Sequence, residues 1–152
     1  MTILERDEIR VMKTTVKPWE LSEAYSEGRN IMALLRERGG DMGNTEDIIE
    51  LSYDLQSGSY IRGLAKGCNE DVKLKFTAEL ARVIESLGSV DSLLDAGMGE
   101  GTTLWGLISQ MRLPPRRVAG FDLCWSRVAT GRRWLKEKLP RFEWTGVTGS
   151  LA

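Results

Sequence analysis

The chain has 152 residues, 41% hydrophobic and 28% charged, which is enough for one ordinary domain with its own core. Its 21 basic and 22 acidic side chains nearly cancel, so the charge footprint of a nucleic-acid or anionic-membrane binder is missing. Histidine is absent, which removes the commonest general base and the commonest metal ligand.

No run approaches the roughly 20 apolar residues of a membrane span, and residues 1–10 carry acidic charge where a secretory leader is basic and then apolar. A cytoplasmic protein is expected. Cys68 and Cys124 lie far apart without paired spacing, against both a disulfide framework and a zinc site.

Residues 1–19 show no helical period and are left unassigned. Over 20–38 the apolar positions Leu21, Ala24, Tyr25, Ile31, Met32 and Leu35 recur at helical spacing, predicting one amphipathic helix stopped by Gly39 and Gly40. A second helix is expected where Asn44 caps Thr45, Glu46 and Asp47, with Ile48, Leu51 and Leu55 on one face until Ser57 and Gly58 interrupt it. A third, over 71–87, carries Phe76, Leu80, Val83, Ile84 and Leu87 and ends at Gly88.

Beyond Gly88 short apolar runs alternate with amphipathic stretches, the pattern of a βαβ array with a parallel sheet. Strands are predicted over 92–96, 117–122 and 142–147. Between them lie a helix with Leu104, Leu107, Ile108 and Met111 on one face and another with Trp125, Val128, Ala129, Leu135 and Leu139. Arg127, Arg132, Arg133 and Lys136 read as the solvated side of that last helix, and the five tryptophans as core or helix-face residues.

Leu93-Leu94-Asp95-Ala96-Gly97-Met98-Gly99-Glu100-Gly101-Thr102 is a strand running into a Gly-x-Gly-x-Gly loop that opens a helix. Glycines there let the chain turn off the strand and let the backbone approach a nucleoside. A dinucleotide fingerprint would place a third-step glycine where this chain has Thr102. Asp95, two positions before the first glycine, would repel a pyrophosphate but complements an ammonium group. An amino-acid-bearing nucleoside is favoured.

These residues resemble motif I of class I S-adenosylmethionine-dependent methyltransferases. The resemblance implies an α/β fold with a Rossmann-like parallel sheet, of which this chain holds strands 1 to 3 of seven, preceded by an N-terminal helical cap. It implies S-adenosyl-L-methionine as cofactor, with Asp95 near the methionine ammonium and with Ala96, Gly97 and Gly99 against the cofactor. The expected domains are an arm and helical cap over 1–70 and a partial cofactor-binding domain over 71–152.

Asp122 ends the second strand 21 residues after Gly101, where an acid recognises ribose hydroxyls in such folds, although a strand-end aspartate also serves as a helix cap. Leu123 would then pack on the adenine. Ser52-Tyr53-Asp54-Leu55-Gln56-Ser57-Gly58-Ser59-Tyr60 resembles the cap segment of several small-molecule and lipid methyltransferases, which brings Tyr53 and Tyr60 to the cofactor; the alternative is that both pack on the core with wet hydroxyls. After the third strand, where relatives often present an acid to the adenine, this chain has Ser150.

The acceptor half of such an enzyme is not in the sequence, so no catalytic residue is assigned and the chain is expected to be a fragment. The open edge of strand 1 is then a site for self-association. A small-molecule acceptor is the expected partner, nucleic acid being a minority reading. The alternatives are a Rossmann-type NAD(P)-dependent oxidoreductase, which Thr102 and Asp95 speak against, and a non-catalytic cofactor-binding or interaction fragment.

Overall fold

A computed structural model describes residues 16–39, 43–67 and 70–150. Residues 1–15, Gly40 and Cys68 therefore lie outside the described residues. The chain divides into two compact units, one ending at Leu55 and the other beginning at Gln56. Residues 56–67 and Glu70 thus group with the sheet.

The first unit holds three helices, α1 (Pro18–Ser26), α2 (Ile31–Gly39) and α3 (Glu46–Asp54). The single helix expected over 20–38 is two. Gly28 adopts φ +72 and closes α1 by donating to the Tyr25 carbonyl while Arg29 donates to that of Ala24, the double bond of a left-handed helix stop. Asn30 then starts α2, its Oδ1 accepting from the Ala33 amide at 3.0 Å. Both signals were present in the sequence and were overridden by the unbroken apolar period. The cap of α3 is Thr45, which accepts from Ile48, and not Asn44, whose Oδ1 instead accepts from Arg36 at 2.7 Å. Val16, Leu21, Ala24, Ile31, Leu34, Leu35 and Ile48 form the core of this unit.

The second unit runs α4 (Ser59–Ala65), α5 (Glu70–Ser86), β1 (Ser92–Ala96), α6 (Thr102–Gln110), β2 (Arg117–Asp122), α7 (Trp125–Lys138) and β3 (Thr145–Thr148). The strands form one parallel sheet in the order β1-β2-β3, with Leu94 opposite Ala119 and Ala119 opposite Thr145. The protein is α/β, with N-terminal helices followed by alternating β-α units in a Rossmann-like arrangement. β1 and β2 fall where the sequence places them. β3 starts three residues later than predicted, because Phe142 closes a turn on Leu139 and packs, with Trp144, against the core before the strand begins.

Leu104, Leu107, Ile108, Met111, Val118 and Leu135 form the main core, bordered by Trp105 and Trp134 edge to face at 5.4 Å. Each fully buried leucine contributes about 1.5–3 kcal/mol. The inward face of α5 is only partly the predicted one: Leu80 and Ile84 pack against the core, but Phe76 is 56% and Leu87 79% exposed, and the buried positions are Thr77 and Ala81. Close approach explains this, since a Cβ on Gly106 of α6 would sit 2.6 Å from Thr77 Oγ1. Only small side chains fit at that crossing.

The core takes Leu93 and Val118 from one face of the sheet. Leu94 and Val147, on the opposite face by strand alternation, are 64% and 52% exposed. Among the described residues β1 pairs with β2 alone, so its second edge carries no strand. No described helix is long and apolar enough to cross a membrane.

Candidate functional site

The glycine loop is shaped by backbone bonds. Gly97, Gly99 and Gly101 take φ of +79, +55 and +70, a region that a β-carbon disfavours. The amides of Gly97 and Met98 both donate to the Phe121 carbonyl, at 2.8 and 2.9 Å, which folds the loop over the end of β2. Met98 is buried beneath it. A Cβ on Gly97 would meet nothing within 4 Å, so the chain passes there with open space against its backbone.

Two aspartates stand at the carboxyl ends of adjacent strands and differ in their partners. Asp122 is 8% exposed, and both of its oxygens are engaged: Oδ2 accepts from Gly99 at 2.8 Å and Oδ1 from Cys124 at 2.9 Å. Its first task is to pin the glycine loop and the turn into α7, and one lone pair on each oxygen is left for a ligand. Asp122→Asn, which keeps a single carbonyl acceptor, is expected to lower stability by about 1–3 kcal/mol through one orphaned amide, measured by urea unfolding. Asp95 is half-buried, and among the described residues no hydrogen bond or ion pair reaches its carboxyl group. Burial raises its pKa, the Asp122 charge raises it further, and Lys73 opposes both.

The wall beside the loop comes from α4, a helix the sequence did not reveal. Glu100 is 1% exposed, and its carboxylate accepts from the Gly58 amide at 2.7 Å and the Ile61 amide at 3.0 Å. These are donors that a helix start leaves unpaired. Ser57 Oγ donates to the Ser126 carbonyl at 3.2 Å and lies 3.1 Å from Thr130 Oγ1, fixing the same segment to α7. Tyr60 is thereby held with its ring 5.1 Å from the Arg127 guanidinium, a cation–π contact. The Arg127 terminal nitrogen lies 2.5 Å from where a Gly99 Cβ would sit. Arg127 is therefore half-buried against the glycine loop instead of on a solvated helix face.

No protein family matches the chain, and no curated protein is similar to it.

Of the residues singled out in the sequence, Asp95, Ala96, Gly97, Gly99, Asp122 and Leu123 lie at one end of the sheet, with Tyr60 beside them through Arg127. Ser150 follows Gly149, whose amide donates to the Asp122 carbonyl at 3.0 Å, which brings it to the same end. Tyr53 is a half-buried residue of α3 in the first unit. Glu100, Arg127 and Lys73 join this end of the sheet without any motif in the sequence that marks them. A groove of about 970 Å³ lies at the opposite ends of the strands, edged by Arg116, Arg117, Arg132 and Lys136. Arg117 there is already engaged with Asp91 at 2.6 Å. The carboxyl group that lines that groove, Glu143, is exposed, unlike the half-buried Asp95 beside the glycine loop.

Proposed function

We propose that the second unit binds S-adenosyl-L-methionine and belongs to a methyltransferase acting on a small molecule. The observation that carries this reading is Asp95, a half-buried carboxyl group that among the described residues accepts no hydrogen bond, beside a loop whose Gly97 is open to a ligand backbone-first. Two carboxylates at the ends of adjacent strands complement a cation and oppose a pyrophosphate, which ranks a sulfonium amino acid above a nicotinamide dinucleotide. The cofactor supplies an activated methyl group. The chain's own residues hold it: Asp95 takes the ammonium, Gly97 allows close approach, Asp122 offers its remaining lone pairs to the ribose, and Leu123 borders the adenine, while Gly99 is covered by Arg127 and serves to hold the loop.

Isothermal titration with S-adenosylhomocysteine and with NAD tests this. Binding of the first and not the second is expected, and the reverse result ends the methyltransferase reading. The raised Asp95 pKa gives two opposite pH dependences. As pH falls through that value, Asp95 takes up a proton and affinity for an ammonium-bearing ligand is lost. Folding stability without ligand moves the other way, because the folded chain holds that proton more tightly than the unfolded one; the contribution is full below the ordinary carboxyl value of 3.8 and is lost as pH rises through the folded value. Asp95→Asn is accordingly expected to raise the unfolding midpoint at neutral pH while weakening S-adenosylhomocysteine by about tenfold or more. A variant that both binds normally and unfolds normally would remove Asp95 from the site.

A further inference from the structure

Charges that cancel over the whole chain are segregated along it: residues 101–152 carry nine basic and three acidic side chains, whereas residues 1–100 carry 12 and 19. Part of the basic share gathers at the amino ends of the strands, away from the glycine loop. The groove of about 970 Å³ there is lined by Arg116 and Arg117 at the entry to β2 and by Arg132 and Lys136, one turn apart on α7. Arg117 is engaged with Asp91. Among the described residues no hydrogen bond or ion pair reaches Arg116, Arg132 or Lys136, and Glu143 is the one carboxylate in the lining. Cations gathered in one concavity reinforce each other's field and draw in an anion, and an arginine offers a phosphate two parallel hydrogen bonds. Phe142 and Trp144, half-buried against the core, line the same groove. Aromatic surface beside fixed positive charge suits a flat base that carries phosphates.

We propose that this groove is a second ligand site, separate from the glycine loop, for a nucleoside polyphosphate, with Arg116, Arg132 and Lys136 on the phosphates and Phe142 and Trp144 against the base. Its volume is that of a small-molecule pocket, which favours a free nucleotide over a length of nucleic-acid strand. The site binds and makes or breaks no bond. It stands on residues that the methyltransferase reading does not use, so either can fail without the other.

The test is isothermal titration of the full chain with guanosine triphosphate, inorganic triphosphate and guanosine, a base other than the adenine proposed for the glycine loop. Guanosine triphosphate is expected to bind about tenfold or more tightly than inorganic triphosphate, and guanosine weakest of the three. Arg132→Ala combined with Lys136→Ala should weaken guanosine triphosphate by about tenfold or more, and added salt should weaken it in the parent chain. Arg133→Ala combined with Lys138→Ala removes the same charge from the same helix outside the groove and should cost about threefold or less. All four side chains are exposed, so both double variants should keep the parent's unfolding midpoint. Trp144→Leu should bring guanosine triphosphate down to the affinity of inorganic triphosphate and leave the latter unchanged. Equal losses in the two double variants would reveal a diffuse field in place of a site and overturn the proposal. So would equal affinity of the parent chain for guanosine triphosphate and inorganic triphosphate, or no binding of either. A single-stranded oligonucleotide that outcompetes guanosine triphosphate and is lost in the groove variant overturns the small-ligand assignment in favour of nucleic acid.

Discussion

Glu100→Ala is expected to lower the unfolding free energy by about 2–6 kcal/mol, because the amides of Gly58 and Ile61 each lose a charged acceptor and a buried orphan donor costs about 1–3 kcal/mol. Against a total of roughly 5–15 kcal/mol for an ordinary domain, that is a large share. Urea unfolding should show a lower midpoint with little change in slope. The loss should extend to the neighbouring wall, since the segment that Glu100 anchors carries Tyr60, and ligand affinity should fall along with stability. Glu100→Gln retains one carbonyl acceptor and turns an amide donor toward the other N–H, so about half of the loss is expected. A Glu100→Ala protein within 1 kcal/mol of the parent would mean that water replaces the carboxylate without penalty.

Gly131→Ala is expected to destabilise by about 1–3 kcal/mol, although helix propensity alone would favour the alanine by about 1 kcal/mol. The clash decides the sign. A Cβ at Gly131 would stand 2.8 Å from both the carbonyl carbon and oxygen of Glu100, and backbone cannot rotate away as a side chain can. The helix must shift off the glycine loop or the loop must shift off β2. Gly39→Ala is the control, because its Cβ would meet nothing within 4 Å and it ends a helix without positive φ; it should be neutral or slightly stabilising. If thermal unfolding ranks the two variants the other way, the contact between α7 and the loop is looser than described.

Parts of the molecule set by local chemistry were legible in the sequence. β1 and β2 are short apolar runs bounded by glycine, proline and acid, and the loop between β1 and α6 announces itself by alternate glycines. What escaped reading depends on distant partners. Glu100 looks like a spacer within its motif, and only the arrival of Gly58 and Ile61, 42 and 39 residues earlier, makes it a helix anchor. On α5 the apolar period finds Leu80 and Ile84, but the burial of Thr77 follows from Gly106 on another helix. The sequence leaves Asp122 between a ribose ligand and a helix cap, and its nearest obligations are to the backbone of Gly99 and Cys124. The break between α1 and α2 is different: Gly28 and Asn30 spelled it out locally and were outweighed by a hydrophobic pattern that two helices share as easily as one.

Among the described residues the outer edge of β1 bears no strand. Asp95 is the penultimate residue of β1, so whatever backbone hydrogen-bonds along the edge also comes to stand beside the carboxyl group. A strand added along that edge would shield the sheet and stand next to the proposed cofactor loop at once. A partner segment that seals this margin would also alter the dielectric around Asp95, and with it the acidity on which ligand capture is proposed to turn, linking assembly to affinity without any signal passing through the core.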